Sequence, residues 1–235
     1  MQRDSEEKAK KDSTYMNNIA LSTLVIIETT HPLYSQIAAH HETRSADEAL
    51  ASFKTYDLVF DLSALRTKNK ITLLKELAKT TKAEIITDLT LCWGEMVLKS
   101  CPQVTGAVSL LFFSPTNSVE FSTKSEKTKN QILDFLKSIE KNGVEHTELK
   151  LGFHYPRVIS MIVNEAYFAL EENLASAEAI DLAMKNGVNY PLGPVEWGQK
   201  IGTKYIVDLL TEYSEITEDP RYRLSRELKM TGKNI

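Results

Sequence analysis

From Tyr56 to Leu149 short apolar runs alternate with amphipathic stretches, and after Gly152 the alternation stops. Tyr56–Leu62 (YDLVFDL) reads as a strand. Lys68–Thr80 follows as a helix, with Ile71, Leu74, Leu77 and Ala78 on its apolar side. Ala83–Asp88 is a second strand, Gly94–Ser100 a short helix, and Val104–Phe113 a third strand. Val119–Phe121 reads as an edge strand. Lys124–Asn142 carries Ile132, Phe135, Leu136 and Ile139 at helical spacing, with Gly143 as its stop. Val144–Leu149 closes the series. Strands that alternate with helices need crossover connections, so the sheet they form is mainly parallel.

Upstream, Leu24–Ile27 is short, apolar and β-branched, the pattern of a buried strand. Thr29-Thr30-His31-Pro32 breaks it, and Pro32 suits the first turn of a helix. Ser45-Ala46-Asp47-Glu48 reads as a helix cap with acids in the first turn. His40-His41-Glu42 between them reads as a solvated turn. Adjacent histidines do not share a face, so a metal site is not expected there.

Beyond Gly152 every periodicity is helical. Ile159, Ile162, Val163, Ala166 and Leu170 stripe the segment Pro156–Asn173. Asn173–Gly198 is the most sharply punctuated stretch. Ser176 caps a helix, Glu178 faces its positive end, and Gly187 is the expected left-handed stop. Tyr190-Pro191-Leu192-Gly193-Pro194 then makes a stiff turn into another helix. The chain divides into a polar tail at 1–17, a sheet domain at 18–150 and a helical domain at 151–235.

Composition narrows the function classes. The 235 residues carry a net charge of -4, which speaks against a dedicated nucleic-acid binder. The two cysteines, Cys92 and Cys101, are too few for a disulfide framework and lack partners at metal-site spacing. The charged start has no apolar segment of signal-peptide type, and no apolar run approaches the ~20 residues that span a bilayer. The expectation is a cytoplasmic protein with neither membrane nor metal.

Several motifs in the second half resemble a known family. Ser176–Lys185 (SAEAIDLAMK), Gly187, Tyr190–Pro194, Gly152-Phe153 with Arg157, and Asp219–Arg223 (DPRYR) are similar, in order, to the C-terminal domain of 3-hydroxyacyl-CoA dehydrogenases. The likeness is good from Gly152 to Leu228, moderate from Ala51 to Lys150 and poor before that. It implies an α/β fold: a shortened Rossmann-like, mainly parallel sheet domain, then an all-α domain through which members dimerise. It also implies oxidation of a 3-hydroxyacyl-CoA with NAD. In that chemistry a histidine is the base, a glutamate orients it, and a serine and an asparagine hold the substrate oxygen.

Carried over residue by residue, most of that machinery is missing. The His-Phe-Phe-Asn-Pro motif reads Leu111-Phe112-Phe113-Ser114-Pro115, and leucine accepts no proton. Glu120 of Val119-Glu120 remains as a vestigial catalytic residue. The Ser-Asn-Thr-Ser-Ser run becomes Thr87–Leu91, where Thr90 keeps a hydroxyl. The asparagine of Gly-Phe-x-x-Asn-Arg is Pro156. A dinucleotide fingerprint needs glycines after the first strand. Here Glu28–Leu33 has none, and the first glycine of the chain is Gly94. The span before Tyr56 is short enough that a strand and helical elements are missing.

For Glu120 the plain alternative is a solvated strand-end carboxylate. For Thr90 it is a strand-end hydrogen bond. His154, two residues before Pro156, is either a replacement base or a structural histidine, and the structural role is favoured. Tyr190, Gly193, Pro194 and Trp197 are candidate interface residues. The expected function is a dimeric binding or scaffold homologue for an acyl-CoA-like ligand, with no cofactor. The alternative is an NAD-dependent dehydrogenase using displaced residues.

Overall fold

The computed structural model describes residues 21–52, 54–141 and 143–233, so the tail at 1–17 lies outside it. Seven strands form one sheet: β1 (Thr23–Ile26), β2 (Glu42–Arg44), β3 (Leu58–Asp61), β4 (Glu84–Asp88), β5 (Val104–Val108), β6 (Ser118–Thr123) and β7 (Gly143–His146). Their order is β2-β1-β3-β4-β5-β6-β7. All neighbours are parallel except β5 and β6. The helices between them are α1 (Tyr34–Ala38), α2 (Ala46–Leu50), α3 (Thr67–Thr80), α4 (Gly94–Ser100) and α5 (Glu126–Ser138). Then follow α6 (His154–Glu171), α7 (Ala177–Val188), α8 (Pro194–Ile201), α9 (Thr203–Thr217), a 3-10 turn at Pro220–Tyr222 and α10 (Arg226–Lys233).

A parallel sheet must be covered on both faces, and alternation along the strands achieves it. Leu24, Ile26, Val59 and Ile85 face Leu73, Leu74 and Leu77 of α3. Val25, Phe60, Ile86 and Val108 face Ile132, Phe135 and Leu136 of α5. Phe60 stacks on Phe135 with ring centroids 4.0 Å apart. A third core lies among the helices around Ile206, Leu210 and Tyr213. It also takes in Leu91, Leu111 and Phe112 from loops at the end of the sheet.

Several sequence expectations need correction. The strand expected over Val104–Phe113 ends at Val108, because the Asp88 carboxylate turns the chain. Its Oδ2 accepts the backbone N–H groups of Leu110 (2.7 Å) and Leu111 (3.1 Å). The segment around Val119–Phe121 is not an edge: β6 lies between β5 and β7. At the opposite edge sits β2, a strand of three polar residues in a segment that reads as a turn. There the His41 ring packs on Phe135, and Nε2 lies 2.7 Å from the Ser138 hydroxyl.

Two glycines do not stop their helices. Helix α5 ends at Ser138, Glu140 takes the left-handed conformation (φ 56°), and Gly143 opens β7. Gly187 lies inside α7, and Asn189 (φ 57°) takes the left-handed cap. Asparagine tolerates that conformation better than most residues with a Cβ. The capping box of Ser45 and Glu48 is present as its spacing predicts.

Candidate functional site

The first place to look is the crevice at the C-terminal ends of β1 and β3, where strand order reverses and open α/β sheets hold ligands. In a dinucleotide site the backbone N–H groups after β1 turn toward a pyrophosphate. Here they turn inward. His31 N donates to Glu28 O (2.9 Å), Leu33 N to His31 Nδ1 (3.1 Å), and Tyr34 N to His31 O (2.9 Å). The Glu28 side chain is exposed, and His31 is buried. Burial, with the Lys70 charge nearby, pulls the His31 imidazole down to about 4. Helix α1, of five residues, gives little dipole to an anion.

Beside it lies a buried ion pair. Lys70 Nζ reaches Asp61 Oδ2 (2.7 Å), Ser63 O (2.7 Å) and Ser63 Oγ (3.0 Å), which occupies its three donors. Asp61 also accepts from the Thr87 hydroxyl (2.7 Å) and from Ser63 N (3.1 Å) and Oγ (2.6 Å). Both side chains are 0% exposed. The network ties β3, β4 and the first turn of α3 together, and nothing in it is free to bind a nucleotide. The residues present therefore do not fit NAD at this crevice. Sequence reading missed this pair, although Lys70 stands on the same face of α3 as Leu74 and Leu77, an odd place for a lysine.

The second place is the seam between the sheet and α6. Glu120 of β6 is buried at 7% exposure. Its carboxylate accepts the backbone N–H of His154 (3.1 Å) and of Tyr155 (2.9 Å). A carboxylate at the start of an 18-residue helix is favoured by the unsatisfied N–H groups and the dipole. His154 Nδ1 lies 3.3 Å from Glu120 Oε1. So Glu120 is neither solvated nor isolated: it caps α6 and faces an imidazole. Next to the pair is a cavity of about 390 Å³, walled by Ser109, Ser114, Ser118, Phe112 and Val158 among others.

The remaining candidate positions are occupied by structure. Leu111 is 1% exposed and packs in the helical core with Leu91 and Phe112. Thr90 is buried, its hydroxyl 3.1 Å from that of Ser109 and its N–H donated to Asp88 Oδ1 (2.7 Å). Burial pushes the Asp88 carboxyl up. Pro156 is buried in the first turn of α6. The structure brings Glu120 and His154 together, and Thr90 reaches Ser109 in the cavity wall.

Tyr190, Gly193, Pro194 and Trp197 gather at the α7–α8 turn. Trp197 and Pro194 are buried in the helical domain, and Tyr190 meets Trp197 edge-on at 6.2 Å. Trp197 Nε1 donates to the Tyr155 hydroxyl (3.0 Å), which donates to Phe113 O (2.7 Å). Burial leads in pushing the Tyr155 hydroxyl up to about 12. Gly193 leaves room for Asp181 of α7, whose side-chain atoms lie 2.1–2.3 Å from where a Cβ would stand. Asp181 in turn accepts from Val195 N (2.8 Å) and Glu196 N (3.0 Å), capping α8 from a neighbouring helix. Among the described residues no group of three or more His, Cys, Asp or Glu side chains is placed to hold a metal. No helix there is long and apolar enough to cross a membrane.

Residues 152–234 match the family model of the 3-hydroxyacyl-CoA dehydrogenase C-terminal domain. Over these residues the chain is similar to the 3-hydroxyacyl-CoA dehydrogenases. It is similar to 3-hydroxyadipyl-CoA dehydrogenase of Escherichia coli, 45% identical over 67 residues, which is 28% of this chain and 14% of that protein. It is also similar to the human mitochondrial hydroxyacyl-coenzyme A dehydrogenase, 33% identical over 135 residues, which is 53% of this chain and 42% of that one. The chain thus spans less than half the length of these relatives. Its fold matches (S)-3-hydroxybutyryl-CoA dehydrogenase from Ralstonia eutropha with a TM-score of 0.60 and 22% identity, over 82% of this chain and 69% of that one.

Proposed function

We propose that this chain is a family homologue that keeps the fold without hydride transfer, acting as a dimeric binding or scaffold protein for an acyl-CoA-like ligand. The observation that carries this reading is Leu111, buried at 1% exposure where the resemblance places the base. Removing a general base forfeits roughly 10²–10⁴ in rate. Here the substrate-holding asparagine is also a proline, and the loop after β1 spends its N–H groups internally. The acyl-CoA ligand comes from the relatives, whose names specify hydroxyacyl-CoA substrates.

The dimer rests on exposed apolar side chains of the helical domain. Leu174 is 71% exposed, Leu182 61% and Val188 54%, and α7 buries none of its residues within the chain. Large apolar side chains left in water are the kind of surface that a partner covers. A cytoplasmic setting completes the proposal.

The test pairs two titrations of the purified chain. Calorimetry with acetoacetyl-CoA gives saturable binding, and the same titration with NADH gives none. Thioester-dependent oxidation of NADH would overturn the reading in favour of a dehydrogenase with displaced residues.

A further inference from the structure

A groove of about 640 Å³ opens between α3 and α4 of the sheet domain and α9 of the helical domain. That volume lies within the range of small-ligand pockets, and junctions between domains are where such pockets form. Ile71, Trp93, Met96 and Ile216 give the groove its apolar wall. Met96 is 42% exposed, and Trp93 is half-buried. The Trp93 backbone N–H donates to the Thr67 hydroxyl (2.8 Å), which ties the residue to the first turn of α3. An indole held in a concave wall offers a stacking surface to a second ring, and a methionine beside it adapts to the ring's outline.

The charges around that wall are separated. Arg66 Nε donates to Glu212 (2.7 Å), and a terminal nitrogen of the same guanidinium donates to Glu215. One cation between two carboxylates leaves one negative charge in excess. Glu212 is buried, whereas the Glu215 side chain is 62% exposed. Lys68 lines the same groove, is exposed, and enters no ion pair among the described residues. The groove is thus neutral as a whole, with an excess negative charge at the Glu215 group and a positive one at Lys68. A simple anion is repelled by the first and a simple cation by the second. A molecule that carries both charges on an apolar body satisfies both.

We propose that this groove binds a free α-amino acid with an aromatic side chain. Its carboxylate pairs with Lys68, its ammonium with Glu215, and its ring lies on Trp93 beside Met96. The site is independent of the acyl-CoA reading above, and its role is binding alone.

Three probes with the same ring isolate the two charges: L-phenylalanine, phenethylamine, which lacks the carboxylate, and 3-phenylpropionate, which lacks the ammonium. Calorimetry on the full chain gives saturable binding of L-phenylalanine, about 10-fold tighter than either analogue, the worth of one hydrogen bond between charged groups. Lys68→Ala brings L-phenylalanine down to the affinity of phenethylamine. Glu215→Gln brings it down to that of 3-phenylpropionate and leaves the Arg66–Glu212 pair in place. Both side chains are exposed, so the melting temperatures of these variants hold. The tryptophan fluorescence change that L-phenylalanine produces disappears in Trp93→Leu, where Trp197 still emits.

The absence of saturable L-phenylalanine binding, equal binding of the three probes, or selectivity that survives Lys68→Ala overturns this site. None of these results bears on the acyl-CoA reading, since acetoacetyl-CoA binds the Lys68→Ala variant as it binds the native chain.

Discussion

At the scale of single residues, carboxylates here serve as internal acceptors. Asp88 turns the chain after β5, Asp181 caps α8, Glu120 caps α6 and Asp61 holds Lys70. Breaking a buried ion pair strands a charge, so Lys70→Ala costs about 3–5 kcal/mol in urea unfolding. Replacing both partners with apolar residues, Lys70→Met with Asp61→Leu, recovers part of that loss. His31 gives a pH signature. Its folded value is about 4 against an unfolded 6.5, so below 6.5 the unfolded chain takes up a proton that the fold refuses. Stability then falls as pH drops from 6.5 to about 4, by roughly 3 kcal/mol in all. Denaturant midpoints across that window measure it, and His31→Asn flattens the slope. An unchanged slope in the variant would remove His31 from the account.

At the scale of elements, what was legible in sequence depended on whether the signal was local. Periodicity in Lys68–Thr80 and the Ser45–Glu48 capping box are local, and α3 and α2 lie where they indicate. The end of β5 was not legible, because a carboxylate from β4 fixes it across the sheet. Nor was β2, whose three polar residues become a strand only because β1 offers an open edge. For the same reason Gly187 and Gly193 look alike in sequence and differ in the fold. Gly187 has open space where a Cβ would go, within α7, so Gly187→Ala stabilises by about 0.5–1 kcal/mol. Gly193→Val drives a side chain into Asp181 and uncaps α8, at about 2–3 kcal/mol. Thermal melts of the two variants separate in opposite directions. Equal shifts would refute the contrast.

At the scale of the whole molecule, the sheet and the helices are joined at the end of the sheet by packing and by a carboxylate. Leu91, Leu111 and Phe112 leave the end of the sheet to enter the helical core, and Glu120 reaches from β6 to the start of α6. The absence of a base at position 111 could be read from the sequence. What fills its place could not, since that depends on helices some fifty residues and more downstream. The exposed apolar side chains of Leu174, Leu182 and Val188 make self-association the expected state, with sedimentation equilibrium giving twice the chain mass. Leu182→Glu puts a charge on that surface and returns the mass to that of one chain.

The central proposal is that a fold similar to that of the 3-hydroxyacyl-CoA dehydrogenases serves here without NAD binding and without a base at position 111. Titration of the purified chain with NADH, followed by nucleotide fluorescence and then by turnover with acetoacetyl-CoA, tests it most directly. The account predicts no saturable NADH binding and no thioester-dependent loss of NADH. Saturable binding followed by turnover would contradict it.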